Sequence, residues 1–324
     1  MHEEKKSLVI INPISGTRKK GGLEDITAEI LTPAGYQLDF AYTEGPADAS
    51  RMAAKAAASG YHSVITAGGD GTVNEAARAL TGTRTALGII PCGSGNGLAR
   101  SLGIPSDFKV ALKTIADGNI ILADHGVVNS IPFFCTFGVG FDAAVSEKFA
   151  NAKRRGKISY IQSVLREFLE YTPQSYGLSI NGEVLTDKAF LIAVANAPQY
   201  GNNAYIAPKA SITDGFLDIT VIHSGSPLST ALMGVDLMTG YLDRNTLIDT
   251  FRVSEATIIR LDKGPAHVDG EPIELGKVLN VQCRPASLRL FAPDADMRVK
   301  PIISPLKAFF SDLHYDLLDK LRSL

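Results

Sequence analysis

The sequence predicts a chain in two parts, an α/β domain built on a parallel sheet and then an all-β sandwich domain. Three observations support this. Through the first 125 residues short apolar runs alternate with helix-like runs, the rhythm of a parallel sheet covered on both faces. Beyond that point short strand-like runs follow one another with few helices between them, as in packed antiparallel sheets. Three loops rich in glycine or proline also fall at the carboxyl ends of the first domain's strands, where open α/β sheets place their ligands.

The first domain is assigned to residues 1–124. "SLVIIN" (7–12) is an apolar run stopped by Pro13, and "QLDFAY" (37–42) alternates as a strand does. "ADASRMAAKAAAS" (47–59) is alanine-rich with helix-forming Lys and Arg. "SVITA" (63–67) is a buried-strand candidate, followed by a glycine turn and the helix "VNEAARAL" (73–80). "ALGII" (86–90) and "GLARSLG" (97–103) repeat the strand, turn and helix order.

The second domain is assigned to residues 125–300. Strands are expected at "FFCTFGVGFDAAV" (133–145), "YGLSING" (176–182), "AFLIAVAN" (189–196), "GFLDITVI" (215–222), "ATIIRL" (256–261), "HVDGE" (267–271), "VLNVQC" (278–283) and "SLRLFA" (287–292). A helix is expected at 158–171, where Ile158, Ile161, Val164, Leu165 and Phe168 share a face, and another at 227–242. An amphipathic helix at 301–324 closes the sequence and is expected to pack back on the first domain.

Composition narrows the function classes. With 45% apolar and 20% charged residues, each domain has enough apolar side chains for a core of its own. A net charge of −2 supplies no basic field, so nucleic acid is not an expected partner. Cys92, Cys135 and Cys283 are far apart and form no CxxC pair, which argues against a disulfide framework or a zinc site and fits a reducing cytoplasm. "MHEEKKSLVIINP" is charged and then strand-like, so no signal peptide is expected. No apolar run approaches the roughly 20 residues that span a bilayer.

The loops carry the chemistry. In "NPISGTRKKGG" Asn12 and Ser15 can bond a phosphate or an adjacent turn, Gly16 allows close approach, and Arg18, Lys19 and Lys20 add positive charge. The alternative there is an ordinary Asn-Pro turn. In "PCGSGNGLAR" the backbone at the helix start could hold an anion, with Ser94 at hand. Neither a P-loop nor a complete dinucleotide fingerprint is present. In "TAGGDGTVNE" an acid, Asp70, stands inside a turn that should attract phosphate. A carboxylate belongs beside phosphates if a divalent cation intervenes or if it takes a hydroxyl proton, and both uses point to phosphoryl transfer. The alternative is a turn-forming Asp. "TDGFLD" holds Asp214 and Asp218, and "VDGEP" holds Asp269 and Glu271. Both read as hairpin turns, and Asp269 and Glu271, which share a face if this segment is extended, could serve as a general base and a metal anchor.

Taken in order, "NPISG", "GGDGTVNE", "PCGSGNGLAR", "FGVGFDAAV", "APKASITDGFLD" and "VDGEP" resemble the diacylglycerol kinase catalytic-domain family, which includes bacterial lipid kinases and the sphingosine and ceramide kinases. The resemblance runs from about residue 7 to 293. It implies an ATP-dependent lipid kinase with an NAD kinase-like and diacylglycerol kinase-like first domain, working in a cleft between the domains. Carried over by motif, Asn12, Pro13, Ile14, Ser15, Gly16, Thr43, Gly68, Gly69, Asp70, Gly71, Thr72, Val73, Asn74, Glu75, Gly93, Ser94, Gly95 and Asn96 would hold ATP. Asp214 and the carbonyls of Ser211 and Phe216 would hold Mg²⁺. Asp269 or Glu271 would be the base, with Asp70 beside the phosphates.

Two departures from the family pattern stand out, the first at a nucleotide-contacting position and the second bearing on which lipid is used. The histidine usual shortly after Thr43 is absent, and "GSGN" replaces the commoner "GTxND" around Ser94. The expected partner is a membrane lipid carrying a free hydroxyl, diacylglycerol or a sphingoid-like lipid, met by peripheral contact at the inner membrane surface. A homodimer is a further expectation. A soluble NAD kinase-like enzyme and a non-catalytic lipid- or nucleotide-binding homologue are the alternatives.

Overall fold

A computed structural model describes residues 5–15, 21–150, 171–200, 204–223, 225 and 246–294. Gly16, Arg18 to Lys20, almost all of the expected helix at 158–171, and the expected helices at 227–242 and 301–324 lie outside the described residues. The chain divides into two compact units. The first holds the residues up to His125 together with Ile212–Gly215 and the segment from Arg284 to Arg298. The second holds Gly126–Ser211 and Phe216–Cys283.

The first unit runs β1 (Lys5–Ile11), α1 (Leu23–Leu31), β2 (Tyr36–Tyr42), α2 (Asp48–Ala58), β3 (Ser63–Gly68), α3 (Asp70–Leu80), β4 (Ala86–Pro91), α4 (Gly97–Ser101), α5 (Phe108–Asp117) and the start of β5 (Ile120–Val128). Its strands are parallel in the order β2-β1-β3-β4, with Ile10 level with Ala41 and Thr66, and Thr66 level with Ile89. Every residue of β3 and β4 is buried, as parallel strands covered on both faces require. Val9, Ile11, Ile65 and Ile90 pack with Leu23 and Leu31 of α1 and Leu112 and Ile115 of α5. Each such fully buried aliphatic side chain contributes about 1.5–3 kcal/mol. The α2 and α3 helices lie against each other through small side chains, Ala53, Ala56, Ala76 and Ala77 all being buried.

The second unit runs β6 (Ile131–Phe133), β7 (Thr136–Gly140), α6 (Phe141–Ala150), β8 (Gln174–Ile180), β9 (Glu183–Ala195), β10 (Leu217–His223), β11 (Ile248–Val253), β12 (Glu255–Arg260), β13 (Gly264–Val268), β14 (Glu271–Leu275) and the start of β15 (Val278–Phe291), whose part from Arg284 onward belongs to the first unit and runs parallel to β4, with Leu290 level with Leu87. All the second unit's described pairings are antiparallel, and β9 belongs to two groups. Its first half pairs β8, which leads on to β12 and β15. Its second half pairs β10 and β7, which lead on to β11 and to the β13–β14 hairpin. Phe137, Val139, Leu178, Ile192, Leu217, Ile219, Ile258, Leu279 and Val281 fill the core between them. This is the β-sandwich that the succession of short strands anticipates.

Two local expectations change. "FFCTFGVGFDAAV" is not one strand, because Gly140 at φ +101° ends β7 and the chain turns directly into α6. "VLNVQC" and "SLRLFA" are one strand, β15, with Ala286 at φ +49° between them. No helix among the described residues is long and apolar enough to cross a membrane.

Candidate active site

The "GGDG" and "GSGN" loops leave the sheet side by side, since β3 and β4 are parallel neighbours with Gly68 level with Pro91. The Asp70 carboxylate joins them. It accepts the backbone N–H of Asn96 at 2.8 Å on one oxygen and that of Gly97 at 2.6 Å on the other. The anion held at the start of α4 is therefore the protein's own. Asn96, in the left-handed region at φ +50°, folds its side chain over Gly93. It accepts the Gly93 N–H at 2.9 Å and donates to the Gly93 carbonyl at 2.8 Å, while Arg100 Nε donates to the Gly95 carbonyl at 2.8 Å. A Cβ on Gly93 would lie 2.8 Å from the Gly69 Cα, so the two turns touch backbone to backbone.

The "NPISG" loop joins the same group. Asn12 donates from its side chain to Thr72 Oγ1 at 3.0 Å and accepts the Ile14 N–H at 3.2 Å, while its own N–H reaches the Ala67 carbonyl. Ser15 donates to the Asn12 carbonyl, and Pro13 and Ile14 are exposed, Ile14 to 91%. Thr43 is buried, with its N–H on the Ile11 carbonyl. Glu75 faces another way, accepting the N–H groups of Ala47 at 2.9 Å and Ala49 at 3.2 Å at the start of α2. Asn12, Thr72, Asp70 and Asn96 thus gather from three loops, with Gly71 and Ser94 exposed beside them.

These features fit a nucleotide's phosphates. Gly71 sits in the first turn of α3, whose leading N–H groups have no partner within the helix and favour an anion. Val73 and Asn74 are buried one step further in, and Asn74 Nδ2 has no hydrogen-bond partner among the described residues.

The "VDGEP" motif is the tip of the β13–β14 hairpin. Asp269 and Gly270 take φ of +51° and +82°, as a tight Asp-Gly hairpin turn requires. The Asp269 carboxylate accepts three backbone N–H groups, from Phe134 at 2.9 Å, Cys135 at 2.7 Å and Thr136 at 2.9 Å. Burial pushes its carboxyl above the usual range, against the pull of those three donors. Glu271 follows at the exposed start of β14. At the other end of the hairpin the buried Arg260 guanidinium donates to four carbonyls, those of Gly264, Pro265, Leu275 and Gly276, at 2.6–3.0 Å. His267 meets Asp142 of α6 at 3.0 Å, and Tyr200 donates its hydroxyl to the same Asp142 oxygen at 3.0 Å.

The suggested metal ligands fall where the chain passes from one unit to the other, Asp214 in the first and Ser211 and Phe216 in the second. One carboxylate and two carbonyls form an all-oxygen donor set suited to a hard divalent cation. No group of three or more His, Cys, Asp or Glu could hold a metal among the described residues. Asp124 secures the loop after Asp214 by accepting the Gly215 N–H at 2.6 Å and the Ala286 N–H at 2.7 Å.

The sequence motifs point to Asp70, Asp214, Asp269 and Glu271, but not to Asp124, Asp142, Tyr200, Arg260 and His267. Asp142 and His267 stood inside the quoted "FGVGFDAAV" and "HVDGE" runs, so their motifs were visible while their contact was not. Asp124, Tyr200 and Arg260 lie in no loop motif and carried no such signal.

Comparison with known proteins identifies the family of each unit. Residues 6–128 match the diacylglycerol kinase catalytic domain, and residues 135–292 match the YegS C-terminal NAD kinase beta sandwich-like domain. A diacylglycerol kinase of Mycobacterium tuberculosis is 33% identical, over 69% of this chain and 75% of its own. A probable lipid kinase YegS-like protein of Pseudomonas putida is 29% identical, over 83% and 91%. The crystal structure of a candidate diacylglycerol kinase from Bacillus anthracis superposes with a TM-score of 0.76 at 25% identity, covering 90% of this chain and 99% of that one. With both units matched in order and the motif loops arranged as described, the chain belongs to the diacylglycerol kinase family of lipid kinases.

Proposed function

We propose that this protein transfers the γ-phosphoryl group of ATP to the free hydroxyl of a membrane lipid, diacylglycerol or a sphingoid-like lipid. The observation that carries the reading is the Asp70 bridge, which holds two glycine turns of one parallel sheet together beside the first turn of α3. Phosphoryl transfer depends mostly on positioning and charge, so a rigid phosphate cradle is the principal requirement.

In this reading ATP lies along the three loops of the first unit, with Gly69, Gly71, Gly93 and Gly95 allowing close approach and Asn12 and Asn96 fixing the turns. Asp214 and the carbonyls of Ser211 and Phe216 would hold Mg²⁺, whose charge offsets that of the phosphates. Glu271 takes the lipid's hydroxyl proton. Asp269 is the poorer base because three amides already occupy its carboxylate. The reading requires Glu271 of the second unit to reach the phosphates bound by the first. The lipid is met from the cytoplasm, by peripheral contact with the inner membrane.

The test is transfer of radiolabelled phosphate from ATP into a panel of diacylglycerol, monoacylglycerol, sphingosine and phosphatidylglycerol vesicles, with NAD as a soluble competitor substrate. A labelled lipid that depends on Glu271 is expected. Labelled NAD, or tight ATP binding with no labelled product, would overturn the reading.

A further inference from the structure

The structure assigns Asp142, His267 and Tyr200 a shared task, that of positioning the turn that presents Glu271, and this inference rests on the kinase reading above. None of the three is placed to meet substrate by any contact described, so they are positioning residues. His267 is 1% exposed and lies three residues before Gly270, whose N–H reaches His267 Nδ1 at 3.3 Å. An amide N–H can only donate, so Nδ1 is the acceptor and Nε2 carries the proton given to Asp142 at 3.0 Å.

Asp142 is tied in turn. One of its oxygens accepts the Ala143 N–H at 2.8 Å, and the other takes both His267 and the Tyr200 hydroxyl. The Tyr200 ring stands edge-on to the imidazole, with centroids 5.8 Å apart. Gly138 of β7 leaves the room for this contact, because a Cβ there would overlap both the Asp142 carboxylate and His267 Nε2. A chain of hydrogen bonds therefore runs from α6, through a buried imidazole, to the backbone of the residue immediately before Glu271. Asp269 holds the other side of the same turn on the bend at Phe134 and Cys135 and on Thr136, the first residue of β7. Between the two anchors the turn has a fixed height and rotation, and these set where the Glu271 carboxylate begins.

Steady-state kinetics on the full chain separate positioning from folding. His267→Leu is expected to lower kcat about 30- to 100-fold, the cost of a misplaced reacting group, with KM for ATP and lipid within about threefold of wild type. His267→Gln, whose side-chain nitrogen can donate to Asp142 and whose side-chain oxygen can accept the Gly270 N–H, is expected to recover most of that loss. An unchanged kcat in His267→Leu, or a His267→Gln as slow as His267→Leu, overturns the proposal. Should His267→Leu not fold, Tyr200→Phe removes one hydroxyl only and carries the same comparison. Its kcat is expected to fall several-fold at constant KM, and a wild-type kcat counts against positioning. Amide hydrogen exchange across residues 268–273 keeps this inference apart from the kinase reading. If the wild-type protein labels no lipid, that reading fails. The positioning inference then stands if exchange at the turn is about tenfold faster in the variants, and falls if exchange is unchanged.

Discussion

The Asp70 carboxylate meets the backbone N–H of Gly97 at 2.6 Å, with the N–H of Asn96 on its second oxygen. A glycine-rich turn thus carries an acid because the acid closes a neighbouring turn. Asp70→Asn keeps one acceptor oxygen and sets an NH₂ group against an N–H. Hydrogen bonds to a carboxylate are worth about 1.5–3 kcal/mol, so the variant is expected to lose stability on that order. ATP affinity should fall with it as the two loops part. Urea unfolding and nucleotide titration on the same preparation check this. A variant that lost transfer with its stability and ATP affinity intact would place Asp70 in the chemistry alone.

Gly93 and Gly69 face each other, but they are not equivalent. A methyl on Gly93 would lie 2.8 Å from the Gly69 Cα, whereas a methyl on Gly69 would lie 3.5 Å from the Gly93 Cα, an ordinary contact. Backbone cannot move aside as a side-chain tip can, so Gly93→Ala is expected to cost about 1–3 kcal/mol and Gly69→Ala clearly less. Equal unfolding midpoints for the two variants would show that the loops can separate without penalty.

The parallel sheet was legible because its strands are continuous apolar runs punctuated by glycine, and β1, β3 and β4 lie within two residues of their expected positions. The α5 helix is marked in the sequence by Asp107 as its N-cap and Gly118 beyond its end, but it carries no loop motif and stands outside the expected helices. Contacts were the illegible part. Asp70 is out of place in its turn by residue type alone, yet its partners lie 26 and 27 residues away and are backbone amides, which no residue type reveals. The same holds for Asp269, whose three donors lie more than 130 residues earlier. Chemistry can be read from side-chain identity, whereas a clamp made of main chain needs the fold.

Asp269 and Glu271 share one motif and are expected to respond in opposite ways. Asn at 269 has one acceptor oxygen for three N–H groups, so Asp269→Asn should lower stability by about 1–3 kcal/mol. Glu271 is exposed, so Glu271→Gln should unfold within about 0.5 kcal/mol of wild type. Loss of a general base should nonetheless lower its lipid phosphorylation about 10²- to 10⁴-fold. Thermal melts beside initial rates separate the two residues. An active Glu271→Gln would return the role of base to Asp269.

His125 gives the first unit a dependence on pH. Burial pushes its imidazole down to about 4, with the Arg284 charge acting in the same direction and Asp124 against it. Its Nδ1 lies 2.6 Å from the Ser287 hydroxyl. A histidine whose folded value lies below its unfolded value of about 6.5 favours the folded state while neutral. Its contribution is therefore complete above pH 6.5 and is lost as pH falls toward 4. The difference between pH 7.5 and pH 4.5 should reach about 2–3 kcal/mol through this group. In His125→Asn, which keeps a polar partner for Ser287 and does not titrate, the decline should be shallower by that amount. Urea midpoints for both proteins across the range measure it. Parallel curves for wild type and variant would mean that the imidazole gains solvent or a counter-charge as it protonates.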